Sequence, residues 1–145
     1  MTTTTPTTNG RVIGLAHYAG RAVLESVLAD HDATFEQQIT LGRVTGAPVE
    51  RDALAEEIAD ALKVGTAETQ GVLDELIAKG LLAAEASQVR LTDAGQTYYA
   101  EVSAEVGEIS ARIYAGIPAE DLAAAGRVLA QVTARANAEL AARRS

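Results

Sequence analysis

Apolar positions recur at helical spacing along most of this chain. Between Val12 and about Ala29, Val12, Leu15, Ala19 and Val23 share one face, while Ile13, Leu24 and Leu28 occupy another. An apolar surface that broad implies burial against more than one partner. In "ATFEQQITLGRV", Thr34 precedes Gln37 by three residues, the spacing of a capping box, and the helix it opens closes near Gly42. "GAPVE" reads as a turn. From Arg51 to about Leu62, the positions Leu54, Ile58 and Leu62 repeat at the four-residue interval of one helix face. After the tight connection "KVG", the stretch "TAETQGVLDELIAKGLL" (66–82) gives a helix, a glycine stop at Gly80 and the apolar start of a strand. "LLAAEASQVRLT" reads as two short strands around Glu85–Gln88, and Thr92 is placed to cap a long helix running to about Ala115. "GIP" breaks that helix. Glu120 and Asp121 suit the positive N-terminal end of the last one, and Arg143 and Arg144 its C-terminal end.

Composition narrows the class. A length of 145 residues suits one domain with a real core, and 48% hydrophobic residues with only 3% aromatics favours helices packed through small side chains. The absence of cysteine excludes disulfides, thiolate metal sites and cysteine redox sensing. No run of 18 apolar residues occurs, and "MTTTTPTTNG" has neither a charged n-region nor an apolar h-region. The expectation is a soluble cytoplasmic protein, without a membrane partner, carrying a disordered Thr-rich tail over 1–10. No Gly-rich phosphate loop, nucleophile elbow or helical His pair is present, and the carboxylates lie on amphipathic helices, so neither an enzyme nor a cofactor is expected. Asp30, His31 and Asp32 are adjacent and project in different directions, as a solvated turn does, so no metal site is expected. The net charge of −8 speaks against general nucleic-acid affinity, which comes mainly from neutralising phosphates.

Helix, short turn, helix, β-hairpin is the order of a winged helix-turn-helix, here set between long flanking helices. The segments "LAEEIADAL" (54–62), "VLDELIAKGLL" (72–82), "VRLTDAG" (89–95) and "GIPAEDL" (116–122) make the chain resemble the MarR family (multiple-antibiotic-resistance-type regulators) from about Arg11 onward. The resemblance implies a dimeric bacterial or archaeal transcription factor, commonly a repressor, often released from DNA by a small ligand. The expected architecture is mostly α, with about six helices and a short β-hairpin wing. Residues 11–145 form one domain, with the winged lobe at 34–92 and mainly dimerisation helices at 11–33 and 93–145. In the last helix, Leu122, Leu129, Val132, Ala136 and Leu140 make an apolar stripe suited to a homodimer.

The helix expected to read double-stranded DNA is short of positive charge. Helical spacing puts Thr69, Leu73, Leu76 and Ile77 on the core side, and Ala67, Gly71 and Ala78 opposite, flanked by Glu68, Gln70, Asp74 and Glu75. The resemblance implies Arg or Lys where Gly71 stands, frequent basic residues at Glu75 and Ala84, and a longer wing rich in Arg. Here the tip "AAEASQ" has no basic residue. Arg51 to Gly80 holds Arg51, Lys63 and Lys79 against Asp52, Glu56, Glu57, Asp60, Glu68, Asp74 and Glu75, a net of −4. The DNA-contacting candidates are Arg51, Thr66, Ala67, Glu68, Thr69, Gln70, Gly71, Asp74, Gln88 and Arg90. Polar side chains and helix N-terminal N–H groups bind phosphate without formal charge. The alternative is a winged-helix dimer with weak or lost DNA binding that takes a small ligand or a protein.

For a small aromatic or anionic effector the candidates are His17, Tyr18, Arg21, Phe35, Arg43 and Tyr98, an apolar wall with cations for a carboxylate or phenolate. The competing and preferred reading has Tyr18, Phe35 and Tyr98 simply as core, His17 making one hydrogen bond, and Arg21 paired to Glu25 four residues on.

Overall fold

The first helix starts two residues before its apolar pattern does, because Asn9 caps it: Asn9 Oδ1 accepts the Val12 N–H at 3.0 Å. The computed structural model describes residues 5–144. Met1–Thr4 of the expected tail lie outside the described residues, and residues 5–9 have no regular structure. The elements are α1 (Gly10–Ala29), α2 (Phe35–Gly42), β1 (Val49–Glu50), α3 (Arg51–Leu62), α4 (Thr66–Ala78), β2 (Leu82–Glu85), β3 (Gln88–Leu91), α5 (Asp93–Tyr114) and α6 (Ala119–Arg144).

The capping box forms as the spacing requires. Gln37 N–H donates to Thr34 Oγ1 at 3.2 Å, and the Gln37 side chain accepts the Thr34 N–H at 3.2 Å. The turn expected over "GAPVE" needs correction, since its last two residues are a strand. Val49 pairs with Val89 and Glu50 with Gln88, making a three-stranded antiparallel sheet in the order β1-β3-β2. Pairing lets half-buried, β-branched Val49 join the core beside Val89. The β2–β3 register, from Leu82 opposite Leu91 to Glu85 opposite Gln88, leaves Ala86 and Ser87 as the turn, with Ala86 at a φ of +54°.

One apolar core holds these pieces. Leu41 and Val44 from the end of α2, Leu54, Ala55 and Ile58 from α3, Leu73 and Leu76 from α4, and Leu82 and Val89 from the sheet are all buried. Each fully buried leucine contributes roughly 1.5–3 kcal/mol. A second fixed point is the corner before α5. Thr92 Oγ1 caps that helix by accepting the Gly95 N–H at 3.0 Å, and its hydroxyl donates to Gly80 O at 2.7 Å. The Thr92 N–H reaches Leu81 O at 3.1 Å. Gly95 packs so closely here that a Cβ would stand 2.1 Å from Leu81 O.

The chain divides into two units, the first ending at Glu108 and the second starting at Ile109, inside α5. The second contains the end of α5, a turn at Gly116 (φ +79°) and α6, whose 26 residues include none that is buried. Within α6, Leu122, Val128, Leu129 and Val132 are exposed. In the first unit, α1 buries only Val27 and Leu28, leaving Leu15, Tyr18 and Val23 exposed. By length and apolarity alone α1 would also suit a bilayer, but Arg21 and Glu25 form an ion pair along it at 2.9 Å.

Candidate nucleic-acid interface

The outward face of α4 is where a winged helix would meet DNA. Gly65 stands at its N-cap and supplies no side-chain acceptor. The first-turn N–H groups of Thr66 and Ala67 therefore point outward unclaimed by a cap, the arrangement that favours anions at helix N-termini. Thr66, Ala67, Glu68, Gly71 and Asp74 are exposed, and Gln70 is half-buried. Thr69 does not share this surface. It is 3% exposed, and its hydroxyl donates among the carbonyls of Ala55 (3.1 Å) and Thr66 (3.0 Å), so it belongs to the α3–α4 packing.

Arg51 is the junction of the region. Its backbone N–H donates to Ser87 O in the wing turn at 3.0 Å, and the Ser87 hydroxyl reaches Glu50 Oε2 at 3.0 Å. Its guanidinium turns to α4: Nε donates to Gln70 Oε1 at 2.7 Å, and one amino nitrogen donates to Gln70 O at 3.3 Å and to Asp74 Oδ1 at 2.7 Å. Gln70 Nε2 in turn donates to Asp52 Oδ1 at 3.0 Å. The wing, the start of α3 and the outer face of α4 are thus joined through one residue, its backbone holding the wing turn and its side chain α4. The sequence supplied Arg51, Gln70 and Asp74 as separate candidates, but not Asp52, Glu50 or Ser87, because these contacts form only when α3, α4 and the wing pack.

The other cations of the lobe are also engaged. Arg90, exposed on β3 beside Gln88, pairs with Glu85 across the hairpin. Lys63 pairs with Asp60 at 3.4 Å and Arg43 with Glu57 at 2.8 Å. Lys79 donates to Asp32 O at 2.6 Å and Gln37 Oε1 at 2.9 Å. Acidic residues of this lobe thus pair with Arg43, Arg51, Lys63 and Arg90, while Lys79 is held by a backbone carbonyl and an amide oxygen.

The effector candidates fall into separate groups. Arg21 lies 4.1 Å over the Phe35 ring and bonds to Glu25 at 2.9 Å and Glu36 at 3.3 Å. The Glu25 hydrogen bond is the main reason its proton is held more firmly than usual. His17 and Tyr18 make an edge contact at 5.2 Å, with Tyr18 70% exposed, so Tyr18 is not core in the single chain. Tyr98 donates to His31 O at 3.4 Å, and burial, with Asp32 nearby, pushes its phenol pKa upward. Arg43 is occupied by Glu57. His31 is not the free turn residue expected: its Nε2 lies 3.0 Å from Glu105 Oε2 on α5. A cleft of about 220 Å³ does open between α2, α3 and α4, over Leu62, Val64 and Val72 with Glu36, Glu68 and Glu75 beside them, and none of the effector candidates lines it.

No protein-family model matches this chain, and no curated protein does. Its fold is found among solved structures. A MarR-family transcriptional regulator from Rhodococcus sp. RHA1 superposes with a TM-score of 0.72 at 16% identity, over 85% of this chain and 91% of that one. The reduced form of MarR from E. coli gives 0.67 at 21% identity, over 88% and 95%. The Mycobacterium tuberculosis MarR-family protein Rv2887 gives 0.63 at 20% identity, over 86% and 92%. At such identities the likeness establishes the winged-helix fold of these proteins, long flanking helices included.

Proposed function

We propose that this protein is a MarR-type transcriptional regulator of the cytoplasm, binding double-stranded DNA as a homodimer and responding to a small ligand. The observation that carries this reading is Arg51, which ties the wing turn to the exposed face of α4 and so presents both reading elements as one surface. The fold likeness supports it. Dimerisation would cover the exposed apolar residues of α1 (Leu15, Tyr18, Val23) and, separately, those of α6 (Leu122, Val128, Leu129, Val132). An effector of aromatic or anionic character would lie along α1 and α2, where Arg21 and Phe35 already meet. No chemistry beyond binding is required of any residue.

A specific observation favours a second reading. With Arg43, Arg51, Lys63, Lys79 and Arg90 all partnered within the chain, the lobe offers little to neutralise phosphates. In that reading the dimer binds DNA weakly and works through a ligand or protein. Unbiased selection of bound fragments from genomic DNA of the source organism, at low and moderate salt, separates the two. Enrichment of a defined site supports the regulator; an empty selection at both salts sinks it in favour of the second reading.

A further inference from the structure

We infer that Asp74 is a gating residue for base recognition: it holds one arm of the Arg51 guanidinium so that the arginine grips DNA by a single contact until the acid lets go. This rests on the DNA-binding reading above and goes beyond it by assigning control of specificity to an acid on the reading helix.

The argument is a count of donors. A guanidinium has five N–H groups: one on Nε and two on each amino nitrogen. Nε is spent on Gln70 Oε1 at 2.7 Å, and one amino nitrogen is spent twice, on Gln70 O at 3.3 Å and Asp74 Oδ1 at 2.7 Å. Only the other amino nitrogen remains. One nitrogen suffices for a single phosphate oxygen. Bidentate reading of guanine O6 and N7 takes two N–H groups side by side, and here the second arm is held by Asp74.

Position makes the exchange feasible. The Asp74 side chain is 70% exposed, against 27% for Arg51, so the acid swings into solvent while the arginine stays in place. Gln70 keeps the guanidinium on the outer face, and its own amide is fixed through Asp52. An exposed pair of this kind is worth little, so the gate is light and a correct base opens it.

The test uses the full-length protein and an operator obtained by selection. Affinity is measured for wild type, Asp74→Ala, Arg51→Lys and the Asp74→Ala/Arg51→Lys double variant across a salt series, with melting temperatures confirming that each is folded. Asp74→Ala should bind about two- to fivefold more tightly at low salt, the range spanned by an exposed ion pair. Replacing each guanine of the operator in turn by 7-deazaguanine should reveal one position where discrimination rises in Asp74→Ala and disappears in the double variant. Lysine keeps the charge but lacks the fork, which makes this the decisive comparison. An equal gain in both arginine and lysine backgrounds, with no guanine position singled out, would show that Asp74 merely repels the backbone and would overturn the inference. So would an absence of any gain. If wild type and all variants bind no DNA at low salt, the DNA-binding reading itself fails and takes the gate with it; operator binding by wild type, measured first, tells these failures apart.

Discussion

Replacing Gly71 separates stability from DNA contact at one position. Gly71 lies inside α4, and apart from its own stretch of helix backbone no heavy atom of the described residues stands within 4 Å of the place its Cβ would occupy. Alanine there should gain about 1 kcal/mol from helix propensity alone. For a chain of this size that corresponds to a rise in melting temperature of about 3 °C. Arginine is nearly as good a helix former, so Gly71→Arg should retain most of the gain while adding a cation to a face whose own cations are paired. One more neutralised phosphate steepens the slope of log K against log salt by about 0.9. Raising salt from about 50 to about 200 mM should then cost the variant about 3.5-fold more affinity than it costs wild type. Gly71→Glu should keep the stability and weaken binding. Thermal melting and fluorescence-anisotropy titration of a selected operator read the two effects independently. Asp74 and Glu75 sit three and four residues on, within reach of the new arginine. A stability gain with an unchanged salt slope would mean that they capture it as Asp74 captures Arg51, and would refute the expected contact.

Three further outcomes are expected. Gly95→Ala, the same chemical change as Gly71→Ala, should instead destabilise by about 3 kcal/mol or more, since its Cβ would meet backbone at 2.1 Å; a melting temperature equal to wild type would contradict the close packing. Burial raises the Tyr98 phenol above its ordinary 10.0, so its neutral form is favoured in the folded state; that stability is complete below pH 10.0 and lost as pH rises through the folded value. Tyr98→Phe should therefore lose less stability than wild type in denaturant titrations carried from neutral to strongly alkaline pH, and parallel losses would count against it. In the proposed dimer, Leu129→Glu with Val132→Glu should lower the sedimenting mass from twice 15.0 kDa or drive aggregation, whereas an unchanged dimer would clear α6 of the interface.

The parts of the fold that were legible in the sequence are those written in neighbouring residues. Thr34 with Gln37, Thr92 with Gly95, and the stop at Gly80 each act across three residues or fewer, so spacing alone reveals them. The strand at Val49–Glu50 is not legible from spacing, because its two residues have meaning only opposite Val89 and Gln88, some forty positions away. Thr69 shows the same limit within the candidate site. Its place on the core side of α4 followed from helical spacing, but helix position does not reveal that its hydroxyl is used up by α3. The acidity of α3 and α4 was visible as a number; that these acids pair with particular cations, Asp74 with Arg51 and Glu57 with Arg43, depends on side chains brought together by packing.

The corner at Thr92 also has a mechanical meaning. One threonine grips the residue that ends α4's turn, the residue that leads into β2 and the first turn of α5, while Gly95 lets the backbones touch. A joint with three hydrogen bonds and no spare volume does not slide. Torque applied to the first turns of α5 passes to the end of α4 as rotation of a stiff bracket, so a sub-ångström tilt at the bracket becomes a larger sweep at Thr66, the far tip of the helix. The corner itself therefore bends little, and any hinge of this unit lies outside it.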